Sequence, residues 1–95
     1  MAIVRTFEAK GWTAEKYDEL MQRLVEKLGL APGQSAPGVL FHWAAATDDG
    51  MRAVDVYETR AAADCLVSET IGPIAGELGL SLPEITELEV RNYLD

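Results

Sequence analysis

Residues 38–58 read GVLFHWAAATDDGMRAVDVYE. Two runs rich in Val, Phe, Trp and Tyr flank a Thr-Asp-Asp-Gly segment, and an Asp-Gly turn between such runs is the strongest short-range indication of a β-hairpin. The same stretch carries the only histidine of the chain, His42, together with Trp43 and with Asp55, an aspartate at a position where a strand is normally apolar. We therefore predict a central hairpin and expect any chemical site to lie on it.

The residues before the hairpin predict a strand followed by a helix. Residues 3–8 alternate between two faces, as the side chains of a strand do. Thr13 is placed to cap a helix whose apolar side chains recur at intervals of three and four, and Gly29 is placed to end that helix. The prolines and glycines of residues 31–38 then predict a loop.

The residues after the hairpin predict a second helix and a last strand. Thr59 can cap the helix, and Gly72-Pro73 is expected to kink or break it before helical structure resumes toward Gly79. Residues 85–94 alternate cleanly and predict the last strand. The chain thus has the element order strand, helix, strand, strand, helix, strand.

This element order is the split βαβ arrangement of ferredoxin-like α+β folds. Right-handed crossovers place both helices on one face of a four-stranded antiparallel sheet. A chain of 95 residues is expected to form a single domain over residues 1–95. Apolar side chains point both ways from the hairpin strands, with Val39, Phe41 and Trp43 expected on one face. The face without helices therefore needs a cover, most simply a second copy of the chain.

The composition excludes several classes of partner. Sixteen acidic against eight basic residues give a net charge of −8, which argues against nucleic acids and anionic membranes. No apolar run approaches the length of about 18 residues that a transmembrane helix needs. The lone cysteine, Cys65, cannot form an internal disulfide, and we expect a cytoplasmic protein. No metal and no cofactor is predicted, because the sequence has neither a metal-ligand spacing nor a glycine-rich nucleotide loop.

The length of the hairpin loop decides which side chains share a face. A two-residue or four-residue loop places His42 on the face of Asp55 and Tyr57, with His42 and Asp55 as opposite or diagonal neighbours. A three-residue loop would set His42 beside Val54 and Val56. In the first register, an imidazole oriented by a carboxylate can exchange a proton with a bound ligand. The alternative is a satisfied polar pair within the sheet or at a dimer seam.

We accordingly predict His42 and Asp55 as catalytic residues and as ligand contacts, with Tyr57 and Trp43 as further ligand contacts. Alternation places Trp43 on the opposite face, where a place in the core or in an interface is expected first. Arg5 can bind an anionic ligand, and exposed ion pairing explains it equally well.

A longer pattern extends from Phe41 to Pro73. It combines the Asp-Gly turn, the run RAVDVYET from Arg52 to Thr59, and a helix that reaches Ile-Gly-Pro. This pattern resembles small uncharacterised dimeric α/β-barrel proteins related to the antibiotic-biosynthesis monooxygenases, in which tryptophan is frequent at the position of Tyr57. The resemblance implies a ferredoxin-like, homodimeric α/β barrel over the whole chain. It leaves the activity open, because the superfamily includes monooxygenases, haem-degrading enzymes, isomerases, dehalogenating enzymes and members without known activity.

Three functions are compatible with these residues. The preferred one is a small homodimeric protein that binds a small hydrophobic or aromatic ligand in a pocket between the sheet and the helices. The second, which the resemblance implies, is a cofactor-independent enzyme with His42 as its base, either a monooxygenase or a cyclase or isomerase, acting on an aromatic or polyketide-like substrate. The third is a structural dimer without a ligand. The sequence leaves open whether the protein is an enzyme.

Overall fold

The computed structural model describes residues 1–92, and it confirms the ferredoxin-like fold. The four strands form one antiparallel sheet in the order β2-β3-β1-β4. The elements are β1 (Ile3–Lys10), α1 (Ala14–Leu28), β2 (Val39–Ala46), β3 (Gly50–Tyr57), α2 (Arg60–Leu66), a π-helical turn (Val67–Ile71), α3 (Gly72–Glu77) and β4 (Glu84–Glu89). The observed last strand, β4, is shorter than the predicted strand over residues 85–94. Residues 93–95 lie outside the described part of the chain.

The first helix begins and ends where the sequence predicts. The Thr13 side chain accepts a hydrogen bond from the backbone N–H of Lys16, at 3.1 Å, which satisfies one of the free donors of the first turn. Gly29 ends the helix in the left-handed conformation, with a φ of 65°. Leu20 and Leu24 are buried against the sheet. Full burial of such a side chain stabilises the fold by about 1.5–3 kcal/mol.

The second helical region continues through Gly72-Pro73, where the sequence predicts a kink or break. The backbone N–H of Gly72 donates to the carbonyl of Val67, five residues earlier, so the helix widens into a π turn instead of ending. Proline has no N–H to give to the carbonyl four residues before it, which is that of Glu69. Lys27 of α1 donates to that carbonyl from its Nζ atom at 2.7 Å. The helix therefore continues without a gap from α2 through the π turn into α3.

The hairpin has the even register on which the site prediction depends. Ala46 pairs with Met51, so four residues, 47–50, separate the last matched pair, and the N–H of Thr47 donates to the carbonyl of Gly50 at 2.8 Å. Gly50 is required by a close approach and not by a positive φ. A Cβ atom at this position would lie 2.1 Å from the carbonyl oxygen of Ala9 on β1.

A β-bulge near the start of β2 corrects one detail of the predicted faces. Val39 pairs with Tyr57 and Phe41 pairs with Val56, so Leu40 is the extra residue on β2. The sequence placed Val39 on the face of Phe41 by simple alternation. The bulge reverses the alternation there, and Val39 packs against the core beneath the helices.

The face of the sheet that carries no helix has one apolar row that crosses all four strands. Phe41, Val56, Val4 and Leu88 are successive cross-strand partners on β2, β3, β1 and β4. Trp43 lies next to this row, which we call the open-face row. Phe41, Trp43 and Leu88 are exposed to 38 %, 41 % and 65 %. In residues 1–92, no helix has the length and apolar character that crossing a membrane requires.

Candidate functional site

A chain of hydrogen bonds connects four side chains on the helix-covered face of the sheet. His42 and Asp55 are direct cross-strand partners, and His42 Nδ1 is hydrogen-bonded to Asp55 Oδ1. Tyr57 donates from its hydroxyl to the other carboxylate oxygen, Oδ2, at 2.7 Å. The hydroxyl oxygen of Tyr17, on the first turn of α1, lies 2.7 Å from His42 Nε2. We call these four residues the Tyr17–Tyr57 relay.

The partners of the relay define where its protons lie. Asp55 is buried, with 5 % of its surface exposed, and its two oxygens face two donors. In the neutral imidazole, the nitrogen that faces the carboxylate carries the proton, so Nδ1 donates to Asp55 and Nε2 is an acceptor. Tyr17 then donates a hydrogen bond from its hydroxyl to Nε2. Each polar group thereby has a partner of the opposite kind.

Burial keeps both phenols protonated. Tyr57 is fully buried, and its burial, the charge of Asp55 and the hydrogen bond to that carboxylate all raise the pKa of its hydroxyl. Burial also raises the pKa of Tyr17 to about 12, with further contributions from the charges of Asp55 and Asp18. Both tyrosines therefore act as hydrogen-bond donors at neutral pH. The relay runs from the core at Tyr57 to an imidazole whose side chain is 32 % exposed.

Two cavities meet at His42. The smaller, of about 60 Å³, lies under the first turn of α1 and is lined mainly by apolar side chains, together with Tyr17 and His42. The larger, of about 410 Å³, lies between α1, the hairpin and residues 33–36 of the loop. We call the larger one the cleft. Ligand pockets usually have volumes of about 300–1,000 Å³, so only the cleft has the size of a ligand site. The residues that line both cavities are Met21, His42, Asp55 and Ile71.

The structure brings together three of the four side chains that the sequence proposes for the site. His42 and Asp55 are bonded to each other and line the cleft. Tyr57 reaches them through Asp55, but it is fully buried and belongs to the lining of neither cavity. Trp43 lies on the open face, away from both cavities. The ligand contacts predicted for all four residues, and the catalytic roles predicted for His42 and Asp55, remain predictions.

Sequence reasoning missed Tyr17 as a member of the site. Its position in the apolar stripe of α1 predicts only a packing residue. One signal was available, since a tyrosine among aliphatic residues carries a hydroxyl that normally finds a partner when it is buried. Nothing in the sequence identified that partner as His42, which lies on another element.

Arg5 forms ion pairs with two carboxylates of the chain. Its side chain is buried, donating to Asp64 at 2.6 Å and to Glu87 at 2.9 Å, and Arg60 donates to the same Glu87 at 2.7 Å. Hydrogen bonds from Arg60 and Arg5 lower the pKa of Glu87. This network ties β1 to β4 and to α2. Of the two interpretations of Arg5, the structure therefore favours ion pairing over ligand binding.

No family model and no curated protein matches the chain. Solved structures of the same fold do match. One is a protein from Chloroflexus aurantiacus J-10-fl, provisionally assigned as an antibiotic biosynthesis monooxygenase, with 16 % identity and a TM-score of 0.66 over 100 % of this chain and 98 % of that one. The chain has the fold of the antibiotic biosynthesis monooxygenase-like proteins.

Two further structures show how widely proteins of this monooxygenase-like fold differ in description. SnoaB from Streptomyces nogalater, a cofactor-independent oxygenase, is 17 % identical with a TM-score of 0.61, over 98 % of this chain and 94 % of that one. A dimeric ferredoxin-like protein of unknown function from Jannaschia sp. CCS1 is 16 % identical with a TM-score of 0.61, over 95 % and 100 %. At these identities the likeness concerns the fold, and the function has to be argued from the site.

Proposed function

We propose that the protein is a homodimer that binds a small, largely apolar ligand in the cleft beside His42. The observation that carries the proposal is the combination of a cleft of about 410 Å³ with one exposed imidazole whose other nitrogen is held by a buried carboxylate. Apolar walls supply affinity, and a few fixed polar groups orient the ligand. Leu24, Val25 and Leu66 belong to the apolar wall.

The homodimer is proposed from the open-face row. An apolar row that crosses all four strands, with Phe41 and Leu88 exposed to 38 % and 65 %, is unfavourable in water. A second identical sheet packed against it would remove this apolar surface from water. A protein of the same fold is dimeric. Trp43, beside the row, then belongs to the interface. The lone cysteine supports the cytoplasm as the location of this dimer.

A second candidate is a cofactor-independent enzyme in which His42 removes a proton from the ligand, and the relay favours it. When Nε2 takes a proton, the imidazolium is stabilised by Asp55, which Tyr57 holds in place. SnoaB, described as a cofactor-independent oxygenase, has the same fold. In this candidate the four side chains hold and move one proton at Nε2, and the deprotonated ligand reacts further.

Titration with 1-naphthol, followed by protein NMR, tests the proposed binding. We expect saturable shifts at residues of the cleft, and a dissociation constant at least about tenfold higher in His42→Ala, since an oriented hydrogen bond to a partly buried group is lost. Asp48→Asn, in the exposed hairpin turn, is the control and should bind as wild type does. Shifts spread over the surface, or equal affinity in His42→Ala, would contradict the proposal.

A further inference from the structure

We infer that Tyr17 occupies, from within the chain, the position at which a ligand hydroxyl binds His42. Tyr17 is then the residue that sets the hydroxyl selectivity of the cleft, because a ligand has to replace its phenol at Nε2. This inference rests on the proposed ligand binding and adds the chemical class of the ligand: a compound with a hydroxyl group on an apolar body.

Nε2 is the ring nitrogen of His42 that is left for a ligand. Nδ1 is bonded to Asp55, whose second oxygen is held by the buried Tyr57. The carboxylate therefore cannot turn away without leaving a buried hydroxyl without an acceptor. Nε2 has a single lone pair, and the Tyr17 hydroxyl at 2.7 Å already uses it.

The hydrogen-bonding character of Nε2 limits the kind of ligand group that can replace Tyr17. With the proton fixed on Nδ1, Nε2 accepts a hydrogen bond and donates none. A ligand ether or carbonyl oxygen would face another lone pair, whereas a ligand hydroxyl reproduces the bond that it displaces. The ligand hydroxyl restores the hydrogen bond of Nε2, whereas the displaced Tyr17 phenol gives up its own, so Tyr17 weakens the binding of such a ligand.

The smaller cavity offers space for the displaced phenol of Tyr17. Tyr17 lines the cavity of about 60 Å³ under the first turn of α1, and His42 lies at the boundary between that cavity and the cleft. The rings of Tyr17 and His42 are nearly parallel, at 13°, with their centres 6.4 Å apart, so the phenol meets the imidazole through its hydroxyl end. A small rotation of the Tyr17 side chain into the smaller cavity frees Nε2 toward the cleft.

The test compares 1-naphthol with 1-methoxynaphthalene, which has the same rings but no hydroxyl proton, in wild type and in Tyr17→Phe. The variant keeps the aromatic ring and removes the competing hydroxyl. We expect Tyr17→Phe to bind 1-naphthol about threefold to tenfold more tightly, as one released hydrogen bond allows, and to bind 1-methoxynaphthalene with unchanged affinity. Circular dichroism and the melting temperature establish that the variant is folded.

A second measurement uses the wild-type protein alone. With the tyrosines labelled at the carbon that bears the hydroxyl, 1-naphthol should shift the Tyr17 resonance, and 1-methoxynaphthalene should leave it in place. If 1-naphthol binds but neither its affinity in Tyr17→Phe nor the Tyr17 resonance changes, the inference is wrong while the proposed binding stands. If neither compound binds wild type or variant, both the proposed function and this inference are contradicted.

Discussion

The hydroxyl oxygen of Tyr17 lies 2.7 Å from Nε2 of His42, although the two residues are 25 positions apart and belong to different elements. This hydrogen bond fixes the first turn of α1 against the middle of β2. It also gives one nitrogen of the imidazole a hydroxyl donor, while Asp55 accepts a hydrogen bond from the N–H of the other nitrogen. The folded chain itself therefore already presents a hydroxyl hydrogen bond at Nε2.

Asp55 is expected to be necessary for stability as well as for binding. In the wild type, one carboxylate oxygen of Asp55 accepts from His42 and the other accepts from Tyr57. Asp55→Asn replaces one of these oxygens by an NH₂ group, so one of the two donors then faces another donor. We expect the free energy of unfolding, measured by urea denaturation, to fall by about 1–3 kcal/mol. The exposed Asp48→Asn should stay within about 0.5 kcal/mol of wild type. Equal stability of the two variants would show that Asp55 is not held as described.

Tyr17 is expected to stay protonated at pH values at which an ordinary tyrosine ionises. Its pKa is raised from 10.0 to about 12, first by burial and then by the charges of Asp55 and Asp18. Because the folded-state pKa exceeds the unfolded one, Tyr17 contributes stability that is fully present below about pH 10 and is lost as the pH rises toward 12.

Tyrosinate absorbance tests this shift. The difference between the titrations of wild type and of Tyr17→Phe should show no step near pH 10. A step equal to one tyrosine with its midpoint near the ordinary pKa of about 10 would contradict the burial and the hydrogen bond of Tyr17.

Gly50 is expected to be necessary for the hairpin register. An alanine Cβ there would lie 2.1 Å from the backbone oxygen of Ala9, so the strands must separate locally, at a cost of about 1–3 kcal/mol in urea denaturation. Gly76→Ala is the matched control. Gly76 lies in α3 with no described atom within 4 Å of an added Cβ, and this substitution should stabilise the protein by about 0.5–1 kcal/mol. Similar effects of the two substitutions would contradict the close packing at Gly50.

The open-face row predicts the oligomeric state. Light scattering after size exclusion should give twice the chain mass of 10.4 kDa. Leu88→Glu places a charge within the apolar row and should shift the protein to the monomer, because an unpaired buried charge is costly. Leu82→Glu is the control, since Leu82 is 83 % exposed and lies outside the strands. A wild-type monomer at micromolar concentration, or a Leu88→Glu dimer, would contradict the proposed interface.

The sequence predicted the fold and three of the four relay residues, because both depend on local patterns. Alternation places His42 opposite Asp55 only if the loop is even, which the sequence leaves open, and the structure has the even register. Tyr17 could not be predicted as a partner, because its distance from His42 depends on how α1 packs on the sheet. The bulge at Leu40 could not be predicted, because neither Leu40 nor its two neighbours is a glycine or a proline. The continuation of the helix through Pro73 could not be predicted either, because it depends on Lys27 of another helix, which donates to the carbonyl that proline leaves without an N–H partner.

The measurement that tests the central claim most directly is nitrogen NMR of the imidazole of His42, which is the only histidine in the chain. For the neutral form of the imidazole we expect the proton on Nδ1, and 1-naphthol should shift the Nε2 resonance as it replaces Tyr17. A proton on Nε2 in the neutral imidazole, or an Nε2 resonance that does not change at saturating 1-naphthol, would contradict the account.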